Sequence, residues 1–346
     1  CSQKRMVIKA KRSSLHKSYA MSKKIAITLG DPAAIGPDIC VKMAHDHLNR
    51  NHIIITDPTI LLESAKRLKT KIHINQLKKN DLKTISGSNV INVLPIELNV
   101  KNKPGHMNYK NAGFVIESIK EAAQGCLDGA FGAMVTGPIS KSILNQGGFK
   151  ITGHTEFLAQ ICKSKSIMML MNNQLKVTLQ TIHIPLSKVA KEITKAKIIE
   201  KIKIINHDLK HKFGYKNPRI LLCGLNPHAG EQGLLGKEEI NIIEPAIKSL
   251  KKMGLKVDGP VPADTAFIDK FIKKYDVIHT MYHDQGLPVI KFNDFSHTTN
   301  VTLGLPIIRV SVDHGTATEL VGTGDVNIAS FVQSLKVAKD ISKSAI

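Results

Sequence analysis

Short runs of β-branched and apolar residues alternate along this chain with longer stretches in which apolar residues recur every three or four positions. The first pattern suits strands and the second helices, so their alternation predicts an α/β protein with a largely parallel sheet. Strands are expected at 24–28, 52–56, 130–136, 176–183, 219–225, 277–282 and 307–312. Helices are expected at 35–48, 109–127, 187–213, 237–253 and 264–273. The 346 residues exceed the ~250–300 at which one hydrophobic core stops growing, so two lobes are expected. The middle of the chain can form one, with the two ends returning as the other.

Composition changes this picture little. Apolar residues make up 42% and charged residues 22%, an ordinary globular balance that argues against disorder. Aromatics are only 4%, with no Trp, so the core must rest on Ile, Leu, Val and Met. No apolar run approaches the ~18 residues of a membrane span, and a soluble protein is expected. Five scattered cysteines without a C-x-x-C pair suggest free buried thiols rather than disulfides or a cysteine zinc site. The first twenty residues carry Lys4, Arg5, Lys9, Lys11, Arg12 and Lys17 with no acidic residue and no apolar segment, which reads as a basic tail or expression scar, not a secretory signal.

Charge raises a separate question. The formal net charge is +21, and +15 remains when those six cations are set aside, so a nucleic-acid partner has to be weighed. The lysines are spread along the chain among Ile and Asn, with few aromatics to stack bases. Drift in composition is the preferred explanation, ahead of nucleic-acid binding or steering of an anionic substrate.

The chemistry concentrates at expected strand ends. His183, His228 and His283 each fall where a strand gives way to a loop, the edge at which open α/β sheets bind ligands. Three neutral imidazoles with coordination positions left open suit a catalytic divalent ion. Their separations of 45 and 55 residues match no local zinc motif, so the fold would have to assemble the site. The competing reading is three isolated loop histidines. His279 is a rival ligand on the same face of its strand, or else a core residue.

A second candidate is the segment 147–156, where His154 and Thr155 fall near an expected helix N-terminus that favours an anion, unless it is an ordinary cap. Gly30-Asp31-Pro32 and Gly36-Pro37 form a tight turn after the first strand, explained equally by turn geometry or by close approach to a ligand. Lys291, Asn300 and Arg309, in or beside the last strands, are types suited to phosphate or carboxylate. The chain has no G-x-G-x-x-G, Walker A or G-x-S-x-G segment, so its residues alone do not identify a cofactor.

Six blocks in order resemble the 4-hydroxythreonine-4-phosphate dehydrogenases of vitamin B6 synthesis: Gly-Asp-Pro-Ala-Ala-Ile-Gly-Pro, Val-Thr-Gly-Pro-Ile-Ser-Lys, Thr-Gly-His-Thr-Glu, Gly-Leu-Asn-Pro-His-Ala-Gly-Glu, Tyr-His-Asp-Gln-Gly and Ser-Val-Asp-His-Gly-Thr-Ala. The resemblance runs from about Ile25 to Ser330. It implies an isocitrate/isopropylmalate dehydrogenase-like fold of two α/β/α lobes around a largely parallel sheet, with the active site in the cleft. Residues 21–150 with 305–346 would form the first lobe and 151–304 the second. It further implies metal ligands at His183, His228 and His283, and substrate contacts at His154, Thr155, Lys291, Asn300 and Arg309. A cytoplasmic homodimer sharing its metal ligands across the interface, with NAD as oxidant, completes the expectation. Ala34 and Asp38 stand where the family usually has Gly and Glu, and residues 318–324 also depart from its pattern near the cofactor, which leaves NADP open.

The implied reaction oxidises the 3-hydroxyl of 4-phosphooxy-L-threonine to 2-amino-3-oxo-4-(phosphooxy)butanoate, which decarboxylates to 3-amino-2-oxopropyl phosphate. Zinc, magnesium, manganese and cobalt all suit the imidazole set. Lys291 and Asp264 are the catalytic candidates; Asp264, in Pro-Ala-Asp-Thr, reads as a proton relay or, by preference, an N-cap. Asp313 and His314 are weaker candidates for touching the cofactor. The alternatives are a paralogue oxidising 4-phospho-threonate or 4-phospho-erythronate and, from another class, a nucleic-acid-binding protein on the same scaffold.

Overall fold

The computed structural model describes residues 24–151 and 153–345. The basic segment 1–20 and Thr152 lie outside the described residues. The chain divides at 162/163 and 305/306 into two compact units, the first closed by Pro306–Lys343 and the second formed mainly by Lys163–Leu305.

In the first unit, β1 (Ile25–Thr28), β2 (His52–Thr56), β3 (His73–Gln76), β4 (Val90–Pro95), β5 (Ala133–Thr136) and β12 (Arg309–Ser311) lie in the order β3-β4-β2-β1-β5-β12, every pair parallel. β1, β2 and β5 are buried at every position, as expected of parallel strands covered on both faces. Around them run α1 (Gly36–Met43), α2 (Pro58–Arg67), α3 (Ala112–Leu127), α4 (Lys141–Gln146), α5 (His154–Ile161) and α11 (Ala329–Ser344). α5 packs against α3 and so goes with this unit.

In the second unit, β6 (Ile167–Met171), β7 (Lys176–Leu179), β8 (Arg219–Cys223), β9 (Lys256–Val261), β10 (Val277–Thr280) and β11 (Thr299–Leu303) lie in the order β11-β6-β7-β10-β8-β9. β6 is antiparallel to both neighbours and the rest are parallel. Its helices are α6 (Leu186–Glu192), α7 (Lys195–His211), α8 (Glu244–Lys252), α9 (Asp269–Lys274) and α10 (His283–Asn293). Leu179, Leu221, Ile278, Leu287 and Ile290 share one buried cluster, which fixes the ends of β7, β8 and β10 relative to α10.

Two expected helices are divided. The stretch 187–213 breaks at Thr194, whose hydroxyl accepts from the Lys197 N–H and caps α7. In 237–253, a π-helical turn at Glu239–Ile243 precedes α8. The helix expected at 264–273 is only Asp269–Lys274, with Ile268 at its N-cap. Asp264 is exposed in the preceding turn and caps no helix, which corrects that expectation. Of the described cysteines, Cys40, Cys126 and Cys223 are buried and Cys162 is half-buried, and none of the four is in a disulfide. Among the described residues no helix is long and apolar enough to cross a membrane.

Candidate active site

Two of the three expected metal histidines come together in the second unit. Beyond β7 the chain keeps pairing alongside β10, the Gln180 and Thr181 N–H groups donating to Thr280 and Met281 carbonyls at 2.8 and 3.1 Å. This carries His183 toward His283, the first residue of α10, and sets their rings 5.7 Å apart between centroids at 45°. His283 Nδ1 lies 2.6 Å from Asp284 Oδ1. A carboxylate at Nδ1 fixes the tautomer and leaves Nε2 as a ligand, a common arrangement for metal-binding histidines. The donor chemistry of this pair therefore fits a divalent ion.

His228 stands apart. Among the described residues no group of three or more His, Cys, Asp or Glu side chains is arranged to hold a metal, so one chain does not gather all three histidines. His228 opens a left-handed run with φ of 51° at His228, 51° at Ala229, 80° at Gly230, 42° at Glu231 and 55° at Gln232. Only glycine accepts this region freely, so four non-glycine residues there cost on the order of 4–8 kcal/mol together, at roughly 1–2 each. Nearby, Gln285 joins the two loops: its Nε2 donates to the Gly224 carbonyl at 2.8 Å while its Oε1 accepts from the Met281 N–H at 2.7 Å.

His279 is removed as a rival ligand. Its Nδ1 is 3.0 Å from Thr178 Oγ1 and its Nε2 3.0 Å from Gln180 Oε1, so both nitrogens are engaged within the sheet. Burial, and secondarily Lys201, push it down to about 3, so it is a neutral core histidine.

The first unit brings Arg309 and His154 together. Arg309 is buried in β12 beside β5, and its Nη2 and Nε donate to Thr136 Oγ1 at 2.8 and 3.2 Å. Burial lowers it to about 10, with Glu156 acting in the opposite sense, so it keeps its charge at neutral pH. His154 begins α5 and its buried Nε2 has no hydrogen-bond partner. Burial first, then Arg309 and Lys141, hold it well below the usual imidazole range. A neutral ring with an open nitrogen, set among two cations and one carboxylate, has the chemistry to take an oxyanion.

The other expected site residues are dispersed. Thr155 sits in the first turn of α5, half-buried. Asn300 lies in β11 opposite Leu170, its Oδ1 buried without a partner and open to an N–H donor. Lys291 is in α10 rather than beside a strand, its Nζ 5.8 Å from the Phe295 ring. Eight residues of helix, about 12 Å of rise, separate it from His283. His314 lies after β12, its Nδ1 against the Gly315 carbonyl at 3.0 Å.

Thr136, Lys141 and Glu156 carry no expected site role, although Thr136 and Lys141 lie in the Val-Thr-Gly-Pro-Ile-Ser-Lys block and Glu156 ends the Thr-Gly-His-Thr-Glu block. A second signal was available there. Thr28, Thr136 and Ser311 end β1, β5 and β12 in matching register, a row of hydroxyls at the edge where ligands bind.

Residues 49–338 match the family model described as Pyridoxal phosphate biosynthetic protein PdxA. A relative from Thioalkalivibrio sulfidiphilus (strain HL-EbGR7), named 4-hydroxythreonine-4-phosphate dehydrogenase, is 44% identical over 323 residues, covering 93% of this chain and 98% of its own length. The crystal structure of a 4-hydroxythreonine-4-phosphate dehydrogenase from Klebsiella pneumoniae superposes with a TM-score of 0.86 at 34% identity, covering 93% of this chain and 100% of that one. One from Burkholderia phymatum gives 0.81 at 34% identity, over 92% and 97%. The matched length, the identities and the shared fold agree with the resemblance carried by the six blocks, and the chain belongs to the PdxA family of dehydrogenases.

Proposed function

We propose that this chain oxidises 4-phosphooxy-L-threonine with NAD to 2-amino-3-oxo-4-(phosphooxy)butanoate, which loses carbon dioxide to give 3-amino-2-oxopropyl phosphate. The observation that carries the reading is the buried Arg309 beside the open His154 Nε2, in a family whose named members act on a phosphorylated hydroxy amino acid. In this reading Arg309, His154 and Thr155 take an anionic end of the substrate. Lys291 takes another, and the buried Asn300 Oδ1 accepts from the amino group. Asp264, free of any capping duty, remains the candidate for proton transfer.

A divalent ion, when bound, would acidify the 3-hydroxyl and later draw electron density from the keto oxygen. His183 and His283 would hold it, with Asp284 keeping the His283 Nε2 lone pair directed outward. His228 of a partner subunit is the third ligand in this reading, which accounts for the absence of a complete set among one chain's described residues. A cytoplasmic homodimer is part of the same proposal.

The test is the appearance of reduced nicotinamide with 4-phosphothreonine or 4-phosphothreonate, each with NAD or NADP, before and after chelation. Turnover of 4-phosphothreonine with NAD that chelation abolishes and zinc, magnesium, manganese or cobalt restores is the expected result. Turnover confined to 4-phosphothreonate would assign the chain to the paralogous activity. Activity untouched by complete removal of metal would overturn the role of the three histidines.

A further inference from the structure

We propose that Glu239 is the positioning residue for His228, its buried carboxylate setting the left-handed turn that presents the imidazole. The inference rests on the reading of His228 as a metal ligand. Glu239 is only 1% exposed, yet both carboxylate oxygens are engaged. Its Oε1 accepts from the Leu225 and Asn226 N–H groups at 2.7 and 2.8 Å, and its Oε2 accepts from Asn226 Nδ2 at 3.0 Å. Asn226 Nδ2 also donates to Glu238 Oε2 at 2.8 Å. Asn226 immediately precedes the turn, and its carbonyl accepts from the Ala229 N–H at 3.1 Å. One carboxylate therefore grips the entry to the strained segment through three charge-assisted bonds.

The surroundings are built to that carboxylate. A Cβ added at Gly230 would come within 2.5 Å of Glu239 Oε2, and one at Gly224 within 3.1 Å of Oε1. At Gly236 a Cβ would meet Asn226 Nδ2 at 2.3 Å. Three glycines thus leave the space that the carboxylate and its amide partner fill. Glu239 also begins the π-helical turn Glu239–Ile243, a distortion found disproportionately at functional sites. With both oxygens occupied, Glu239 acts through the turn and is not itself a ligand.

The test is titration of the metal-free full-length protein with Co2+, read from its visible absorption bands, together with amide hydrogen exchange across 225–232. Glu239→Ala should weaken Co2+ binding by about 10–100-fold, alter the bands and speed exchange in that segment. Glu239→Gln, which retains an acceptor for the two backbone N–H groups but turns an amide NH2 toward Asn226 Nδ2, should lose affinity several-fold, less than Glu239→Ala. His228→Ala separates the two readings. If it loses Co2+ binding while folded Glu239→Ala keeps wild-type affinity, spectrum and exchange, the positioning role is wrong and the ligand reading stands. If His228→Ala binds like wild type, the ligand reading fails, and unchanged exchange in Glu239→Ala would overturn the control of the turn as well. Should Glu239→Ala not fold, Glu239→Gln decides: a several-fold loss of affinity with faster exchange supports the role, and wild-type behaviour in both overturns it.

Discussion

Asp31, in the turn after β1, shows how a single buried group shapes stability. Burial pushes its carboxyl up to about 6, against the lowering effect of the Ala33 N–H donated at 2.9 Å. The folded protein therefore holds this proton more tightly than the unfolded chain does. That contribution is full below about pH 4 and lost as pH rises through about 6, on the order of 3 kcal/mol in all. Asp31→Asn keeps an acceptor for Ala33 and removes the titration. We expect it to match wild type at pH 4 and exceed it by about 1–3 kcal/mol at pH 7 in urea unfolding. Arg309 offers a test through binding. Lysine cannot reproduce the guanidinium fork on Thr136, so Arg309→Lys should raise KM for the phosphorylated substrate by about tenfold or more while kcat falls less. His183 and His283 could be found from sequence because each follows an apolar run that forms a strand. The conformation at His228 could not, because Ala229, Glu231 and Gln232 carry no local preference for positive φ and the restraint comes from Glu239.

Helix and strand boundaries depend on similarly local chemistry. Thr194 divides one apolar-periodic stretch into two helices through a single cap. Thr194→Ala should cost about 1 kcal/mol by denaturant unfolding, the usual value of such a cap. The seven strands expected from apolar runs all formed, six of them with trimmed ends, because parallel strands buried on both faces leave continuous runs in the sequence. Five strands were missed, and only some of them lack that signature: β4 and β11 are each buried at four positions and were legible as runs. Of the others, β3 is half-exposed, β9 contains Gly259 and Pro260, and β6 is rich in methionine. α10 was hidden by Pro288, which argues against a helix interior, although the helix that contains it begins with a site histidine.

Over the whole molecule, the formal charge of +21 should act on approach more than on chemistry. If it steers an anionic substrate, kcat/KM should fall by about threefold or more as ionic strength rises from 10 to 300 mM, with kcat nearly constant. A flat profile would leave the lysines without a kinetic role. The division into two units has a different consequence, one of timing. Thr136 and its partner Arg309 are 173 residues apart in the chain, and nearly all of the second unit lies between them. A ribosome adding about 5–20 residues per second takes roughly 10–35 s to cover that distance. Throughout that interval the nascent chain carries β5 with an unpaired edge, an open invitation to wrong partners until β12 emerges. The proposed cradle for the substrate anion is thus among the last parts of this enzyme to be made.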